Sequence, residues 1–472
     1  MGYRGKKIVI MGLGGYRDGS GIMAALYFSK AGAREVLVTD LKTEAELERQ
    51  LKRLRRYGNI KLVLGRHRLS DFRSADVVFQ NPSVPDTSPY LAEARRRGVP
   101  VINDWNIFLE KEDDFLIGIT GTRGKSTTSA LISEMFRAAG KSAVLCGNIG
   151  VSPLKYLGKL KKGEAVVAEL SSWLLRGFRT AKKSPQIAVL TNLLVDHQDK
   201  YPGLEAYYRD KENIFLFQNA GDFLVANRGN AEVRKRVGKA PARLIWFSLR
   251  PIGKLDGAYL QEGKIYFQFK GKRELIAPAS ALRIKGESNL ENALAAVAAA
   301  KVYGLPTKAV RKALRQFAGL SGRLEFLGGR NGVEFYNDTT ATTPDAAIAA
   351  LNALSDKSGR IILLAGGYDK RLEFSKMVAL AKKRAKRVIL LRGSATEKVK
   401  AELEKKKVPF AEFASMKEAV AEAARTAAKG DVILLSPGAA SFGLFSNEYD
   451  RGNQFNKEVG KILRKKIKKN GN

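Results

Sequence analysis

Ten residues, Gly118-Ile-Thr-Gly-Thr-Arg-Gly-Lys-Ser-Thr127, carry the densest chemical signal in this chain. The apolar run Phe115-Leu-Ile117 leads in like a buried strand, and an apolar helical pattern from Ser129 to Ala139 leads out. Backbone N–H groups of a glycine-rich turn that opens a helix can wrap phosphate oxygens. Lys125 would reach the terminal phosphates of a nucleotide, and the hydroxyl of Ser126 or Thr127 would hold Mg²⁺. Strict phosphate-loop spacing requires glycine at 119, where this chain has isoleucine; its glycines fall at 118, 121 and 124. The shifted register points to a subclass of nucleotide-binding loop.

Other candidates sit where apolar runs end. Glu169 closes Ala165-Val-Val-Ala-Glu169, and an acid at the tip of an apolar strand is costly without a partner. A carboxylate there, near a phosphate loop, commonly binds Mg²⁺ through oxygen. His197 closes Leu190-Thr-Asn-Leu-Leu-Val-Asp-His197, just beyond another strand. Its position suits a ligand site at the carboxyl end of a sheet, and equally a capping or core histidine. The only other histidine, His67, lies in Gly65-Arg-His-Arg and reads as part of an exposed loop. Asp40 ends the second strand of an opening βαβ pattern, where a ribose- or base-binding acid would be. The glycine loop before it, Gly12 to Gly21, is longer than a standard dinucleotide fingerprint.

These residues need sheets to position them. Strand-like and helix-like segments alternate along the chain, which argues for an α/β fold with parallel sheets. Apolar strand patterns occur at 7–12, 35–40, 61–64, 76–79 and 99–102, and a polar linker follows at 110–114. A second unit opens at Phe115, with strands at 165–169, 187–191 and 222–226, β-rich patterns to 270 and a helix at 290–303. Leu320-Ser-Gly-Arg323 reads as a hinge, and strands at 361–364, 388–391 and 431–435 build a third unit. At about 150 residues per domain, the chain's 472 residues also predict three.

Lys and Arg number 83 against 47 Asp and Glu, a formal net charge of +36 that makes nucleic acid a partner to consider. The basic residues are dispersed, however, in short runs such as Lys382-Lys-Arg-Ala-Lys-Arg387 on helical patterns. The expectation is a basic surface suited to anionic substrates, with no dedicated nucleic-acid site. One cysteine, Cys146, excludes an intrachain disulfide and suits a reducing cytoplasm. No apolar run is long enough to predict a membrane span. The C-terminal stretch from Arg464 to Asn472 reads as a fraying helix end.

Taken in order, the motifs resemble those of the Mur ligases of peptidoglycan synthesis. Thr120-Gly-Thr-Arg-Gly-Lys-Ser-Thr127 is similar to their ATP loop. Gly147-Asn-Ile-Gly150, Glu169-Leu-Ser-Ser172, Asp196-His197, Asn289-Leu-Glu-Asn292, Gly322-Arg323 and Asn337-Asp338 follow in the family's order. Gly366-Gly-Tyr-Asp-Lys370, Leu435-Ser-Pro-Gly-Ala-Ala-Ser441 and Arg451-Gly-Asn453 favour the branch that adds D-glutamate. The resemblance implies a Rossmann-like, uridine-nucleotide-binding N-terminal domain over 1–112. It implies a central P-loop ATPase domain with a mostly parallel sheet over 113–318, and a Rossmann-like α/β amino-acid domain over 319–472.

The implied reaction joins D-glutamate to UDP-N-acetylmuramoyl-L-alanine through an acyl phosphate and a tetrahedral intermediate, in a monomer. The resemblance places ATP against Gly121, Thr122, Arg123, Gly124, Lys125, Ser126, Thr127, Asn292, Arg323 and Asp338. It implies two Mg²⁺ ions near Ser126, Glu169, His197 and Lys211, the last being the lysine this family carbamylates. Asp40 and Asn148 would meet the uridine-linked acceptor, and Thr342, Lys370, Ser441 and Phe442 the glutamate. The chain departs from the pattern at Arg123, where asparagine is common, at Thr340 in place of lysine, and at Ser288 in place of histidine. Two other readings remain: an amide ligase of another muramoyl-peptide or folate polyglutamate type, and a basic nucleic-acid-binding ATPase.

Overall fold

The computed structural model describes residues 2–196, 201–357, 359–370 and 372–464. His197 and the C-terminal residues 465–472 lie outside this set. The chain forms two compact units, one of residues 1–281 with 291–315 and one of 282–290 with 316–472.

The first unit holds two sheets. β1 (Lys7–Met11), β2 (Glu35–Asp40), β3 (Ile60–Leu64), β4 (Val77–Gln80) and β5 (Val101–Ile102) pair in the order β3-β2-β1-β4-β5, all parallel. β1 and β2 are buried almost throughout, which explains their unbroken apolar runs. The second sheet begins with β6 (Leu116–Thr120), β7 (Ala143–Gly147), β8 (Ala165–Glu169), β9 (Ile187–Leu190), β10 (Phe223–Asn227) and β11 (Arg243–Ser248). It adds β12 (Gly257–Gln261), β13 (Lys264–Phe269) and β14 (Lys272–Pro278), in the order β14-β13-β12-β11-β10-β9-β6-β8-β7. Only β12–β13 and β13–β14 are antiparallel, joined by tight turns at Glu262-Gly263 and Lys270-Gly271 where φ is positive.

The two sheets are stitched together within this unit. Asp104 is buried and accepts hydrogen bonds from Ser20 Oγ at 2.6 Å and Ser152 Oγ at 2.9 Å. Asp18, in the long glycine loop, pairs with Lys155 at 2.9 Å and with Arg53 at 2.9 Å. The loop that departs from a dinucleotide fingerprint is therefore an anchor between the two sheets.

The second unit holds β15 (Glu325–Arg330), β16 (Val333–Asn337), β17 (Ile361–Gly366), β18 (Ala385–Leu391), β19 (Phe410–Phe413) and β20 (Val432–Leu435). Their order is β15-β16-β20-β17-β18-β19, parallel except for the β15–β16 hairpin. The basic run 382–387, expected to be helical, divides: the helix Ser375–Arg384 ends within it and β18 begins at Ala385. Its apolar continuation, Val388 to Leu391, is buried in the sheet as the strand pattern there predicts, and β18 extends back from it into the basic run.

Candidate active site

The carboxyl ends of β6, β8 and β9 lie side by side, because β6 pairs with both of the others. Each strand delivers functional residues at its tip. β6 runs into Gly121–Gly124, which opens the helix Lys125–Ala138. That helix starts four residues before the apolar pattern suggested, because its first turn is polar and faces the loop. Gly124 is its N-cap at φ 83°, and a Cβ there would lie 2.1 Å from Asn292 Oδ1. A side chain at this position would displace Asn292 as well as strain the backbone. Thr127 is buried, while Arg123, Lys125 and Ser126 are half-buried.

The loop's backbone is fixed from β9. Arg123 N donates to Asn192 Oδ1 at 2.9 Å, and Thr122 N donates to Asn192 O at 2.9 Å. Thr191 Oγ1 donates to Arg123 O at 2.6 Å. Asn192 and Thr191 are contacts that motif reading missed; their place directly after an apolar strand was the available signal.

Two lysines converge on one carbonyl. Lys125 Nζ donates to Gly121 O at 3.0 Å, and Lys211 Nζ donates to the same oxygen at 2.9 Å. Lys211 lies on the helix Leu204–Glu212 and is 2% exposed. Burial, and then the Lys125 charge, hold its pKa well below the usual lysine value. Its amine therefore gives up its proton more readily than an exposed lysine does, in a site close to the phosphate loop. Its nitrogen also lies 4.7 Å from the centre of the Tyr207 ring.

Glu169, at the tip of β8, is 2% exposed. Its Oε1 accepts from Asn148 Nδ2 at 2.9 Å, and Asn148 N donates to Glu169 O at 2.8 Å. Its Oε2 is buried and has no hydrogen-bond donor among the described residues. A buried carboxylate oxygen left over in this way suits a hard cation, so the residues fit Mg²⁺. No cluster of three or more acidic, histidine or cysteine ligands occurs among the described residues.

In the N-terminal sheet, Asp40 sits at the tip of β2. Its Oδ2 accepts from Leu13 N at 2.7 Å and its Oδ1 from Lys42 N at 2.9 Å, so it holds the glycine loop in place. His67 is half-buried rather than exposed: its ring packs 5.1 Å from Tyr90, and its Nδ1 is 2.8 Å from Thr39 Oγ1. Burial holds its pKa below the usual histidine value. Cys146 is fully buried on β7, as expected of a small core residue.

The second unit gathers the remaining candidates at the tips of β16, β17 and β20. Asp338 is buried, accepts from Ser436 Oγ at 2.7 Å and from Leu324 N at 3.0 Å, and burial pushes its pKa up to about 7. Arg323 is exposed and its charge partly offsets that shift. Arg451 is fully buried, donating to Thr339 O at 2.8 Å and Ala439 O at 3.1 Å. It ties the segment after β16 to the segment after β20, which carries buried Ser441 and exposed Phe442. Phe442 meets Tyr368 edge-on at 5.9 Å. Thr342 is half-buried, and Lys370 is exposed. Thr340 Oγ1 donates to Gly322 O at 2.9 Å.

The chain resembles known proteins along most of its length. Residues 6–103 match the MurD-like N-terminal domain of Mur ligases, 119–300 the Mur ligase middle domain, and 322–438 the Mur ligase glutamate ligase domain. UDP-N-acetylmuramoylalanine–D-glutamate ligase of Roseiflexus sp. (strain RS-1) is 37% identical, the alignment covering 96% of this chain and 98% of that protein. The chain belongs to the Mur ligase family. The protein of the same name from Koribacter versatilis is 35% identical over 99% of this chain and 100% of its own. Among solved Mur ligases, UDP-N-acetylmuramate–alanine ligase from Thermotoga maritima shares the fold with a TM-score of 0.62 and 21% identity, covering 97% of this chain and 100% of its own. The MurF ligase of Thermotoga maritima in complex with ADP has a TM-score of 0.58 and 17% identity, covering 92% and 97%. The three domains of the Mur ligase fold are all present, the first two packed into one compact unit. No helix among the described residues is long and apolar enough to cross a membrane.

Proposed function

We propose that the chain is an ATP-dependent ligase joining D-glutamate to UDP-N-acetylmuramoyl-L-alanine in peptidoglycan precursor synthesis. Full-length similarity to ligases of that name carries the reading, and the Lys125–Gly121–Lys211 arrangement beside Glu169 supports it. A carboxylate is a poor electrophile because its charge repels nucleophiles and oxide is a poor leaving group. The acceptor's alanine carboxylate therefore attacks the γ-phosphorus of ATP, releasing ADP and leaving an acyl phosphate. The glutamate amine adds to that carbonyl, and the tetrahedral intermediate expels phosphate to leave an amide.

Lys125, Gly121–Gly124, Ser126 and Thr127 hold the phosphates, with Asn292, Arg323 and Asp338 serving the rest of the nucleotide. Asp40 and Asn148 orient the acceptor, while Thr342, Lys370, Ser441 and Phe442 hold glutamate, Lys370 pairing with a carboxylate. Ser126, Glu169, His197 and Lys211 are the residues that would hold two Mg²⁺ ions, which neutralise crowded phosphate oxygens. The working division of the chain is 1–112, 113–318 and 319–472. It acts as a monomer in the cytoplasm, without membrane or nucleic-acid partners.

Phosphate release by the purified protein tests this reading. Release should require both UDP-N-acetylmuramoyl-L-alanine and D-glutamate, and Lys125→Ala should lower it by about 10²–10³-fold. Release indifferent to the acceptor would overturn the assignment. Lys211, buried and with its pKa lowered, adds to CO₂ through the lone pair of its deprotonated amine and sheds a proton, giving an N-carboxylate that can face a cation. Stripping dissolved CO₂ should lower turnover and bicarbonate should restore it; turnover indifferent to both rules out the modification.

A further inference from the structure

One guanidinium in the first unit meets two carboxylates, one from the loop after β4 and one from the helix Leu204–Glu212. Arg176 lies on the helix Ser172–Ala181, which follows β8. Its Nη1 is ion-paired with Asp86 Oδ2, and its Nε donates to Asp210 Oδ2 at 2.7 Å. Asp86 follows β4 and is fixed to the N-terminal sheet. Its Oδ1 accepts from Arg95 Nη2 at 2.6 Å and from Gln80 Nε2 at 3.3 Å. Asp210 is 8% exposed and directly precedes Lys211 on the helix Leu204–Glu212.

The contacts continue to the phosphate loop. Tyr201 OH donates to the same Asp210 oxygen at 3.0 Å, and the Arg176 guanidinium lies 5.5 Å from the Tyr201 ring centre. Tyr201 packs on Tyr207 at 5.3 Å, and the Tyr207 hydroxyl lies 3.5 Å from Thr122 Oγ1. A chain of contacts thus runs from Asp86 through Arg176 to Lys211 and Thr122. A cavity of about 260 Å³, lined by Gln80, Asp86, Asn103, Trp173, Arg176 and Thr180, lies beside the bridge. The cavity leaves one side of the bridge open, while apolar packing such as Trp105 on Phe178 at 5.1 Å covers another.

We propose that Arg176 is a positioning residue for the ligase reaction, setting the helix that carries Lys211 against the N-terminal domain that carries the acceptor. The inference rests on the function proposed above. The planar guanidinium hydrogen-bonds one carboxylate through Nε and ion-pairs with the other through Nη1, a spread that a lysine ammonium cannot reproduce. Without Arg176, Asp210 keeps a single donor from Tyr201 in a buried position, and the helix must shift to hydrate it. A shift of about 1 Å in catalytic groups costs on the order of 10²-fold in rate. The sheets remain joined through Asp104 and Asp18, so loss of the bridge does not separate them.

The test is steady-state ligation by the full chain carrying Arg176→Ala, Arg176→Lys, Asp86→Asn or the double change Arg176→Ala/Asp86→Asn, with melting temperatures alongside. Both Arg176 variants should lose about 10–100-fold in kcat with KM for ATP near the parent value, and lysine should not rescue. Asp86→Asn should lose kcat in the same sense, and the double variant should be no worse than Arg176→Ala alone, as partners in one network require. A parent protein that ligates while Arg176→Ala keeps its kcat per folded molecule overturns the inference. Additive losses in the double variant, or full rescue by lysine, overturn it as well. A parent that fails to ligate at all overturns instead the function on which it rests.

Discussion

Gly121 O receives both lysine amines of the site, and burial together with the Lys125 charge lowers the Lys211 pKa. Asp338 shows the opposite case, a carboxyl whose buried site favours its protonated form. Its pKa rises from the usual 3.8 to about 7, so between those values the native state holds a proton that the unfolded chain has released. This group's stabilising share is fully present below pH 3.8 and is lost as pH rises through about 7. The shift corresponds to on the order of 4 kcal/mol. Asp338→Asn can still accept from Leu324 N, and it should lose less stability between about pH 5 and pH 8 than the parent. Urea midpoints at the two pH values measure this; equal losses in both proteins would rule out the assigned burial effect.

The loop between β6 and the helix Lys125–Ala138 depends on glycine where backbone and neighbour both demand it. Gly124→Ala places a Cβ 2.1 Å from Asn292 Oδ1 at a φ of 83°. The backbone conformation alone costs about 1–2 kcal/mol, and Asn292 must also move. Thermal unfolding should occur at lower temperature and KM for ATP should rise; a variant with both unchanged would show that the loop tolerates a side chain. Much of this architecture was legible in the sequence. Buried parallel strands such as β1, β8 and β17 are unbroken apolar runs, and the residues at their tips stand out as polar breaks. What could not be read was whatever depends on distant partners. Asp86, Arg176 and Asp210 are far apart in sequence, and each alone resembles a surface charge. His67 looked like loop because the aromatic rings that cover it, Phe72 and Tyr90, come from the helices Leu69–Arg73 and Pro89–Arg96.

For the molecule as a whole, a charge of +36 surrounds a site whose proposed substrates are polyanions. Such a field concentrates anions near the protein and is screened over about 10 Å at 0.1 M salt. Raising salt from about 0.05 to 0.5 M should raise KM for the uridine-linked acceptor several-fold while leaving kcat nearly unchanged. Stimulation of ATP hydrolysis by added RNA or DNA would point instead to a nucleic-acid role.

The path of the chain through its two units has a consequence for synthesis. It leaves the first unit at Leu282, returns at Glu291 and leaves again at Gln316. A ribosome that has released residues 1–315 has supplied every strand of the first unit, yet residues 282–286, and the opening turn of the helix Glu287–Val302, belong with a second unit that has not been translated. The nascent protein must carry that stretch as an unmatched insert until the carboxyl-terminal half emerges, so a truncated gene ending at 315 would yield a product with a permanently orphaned segment.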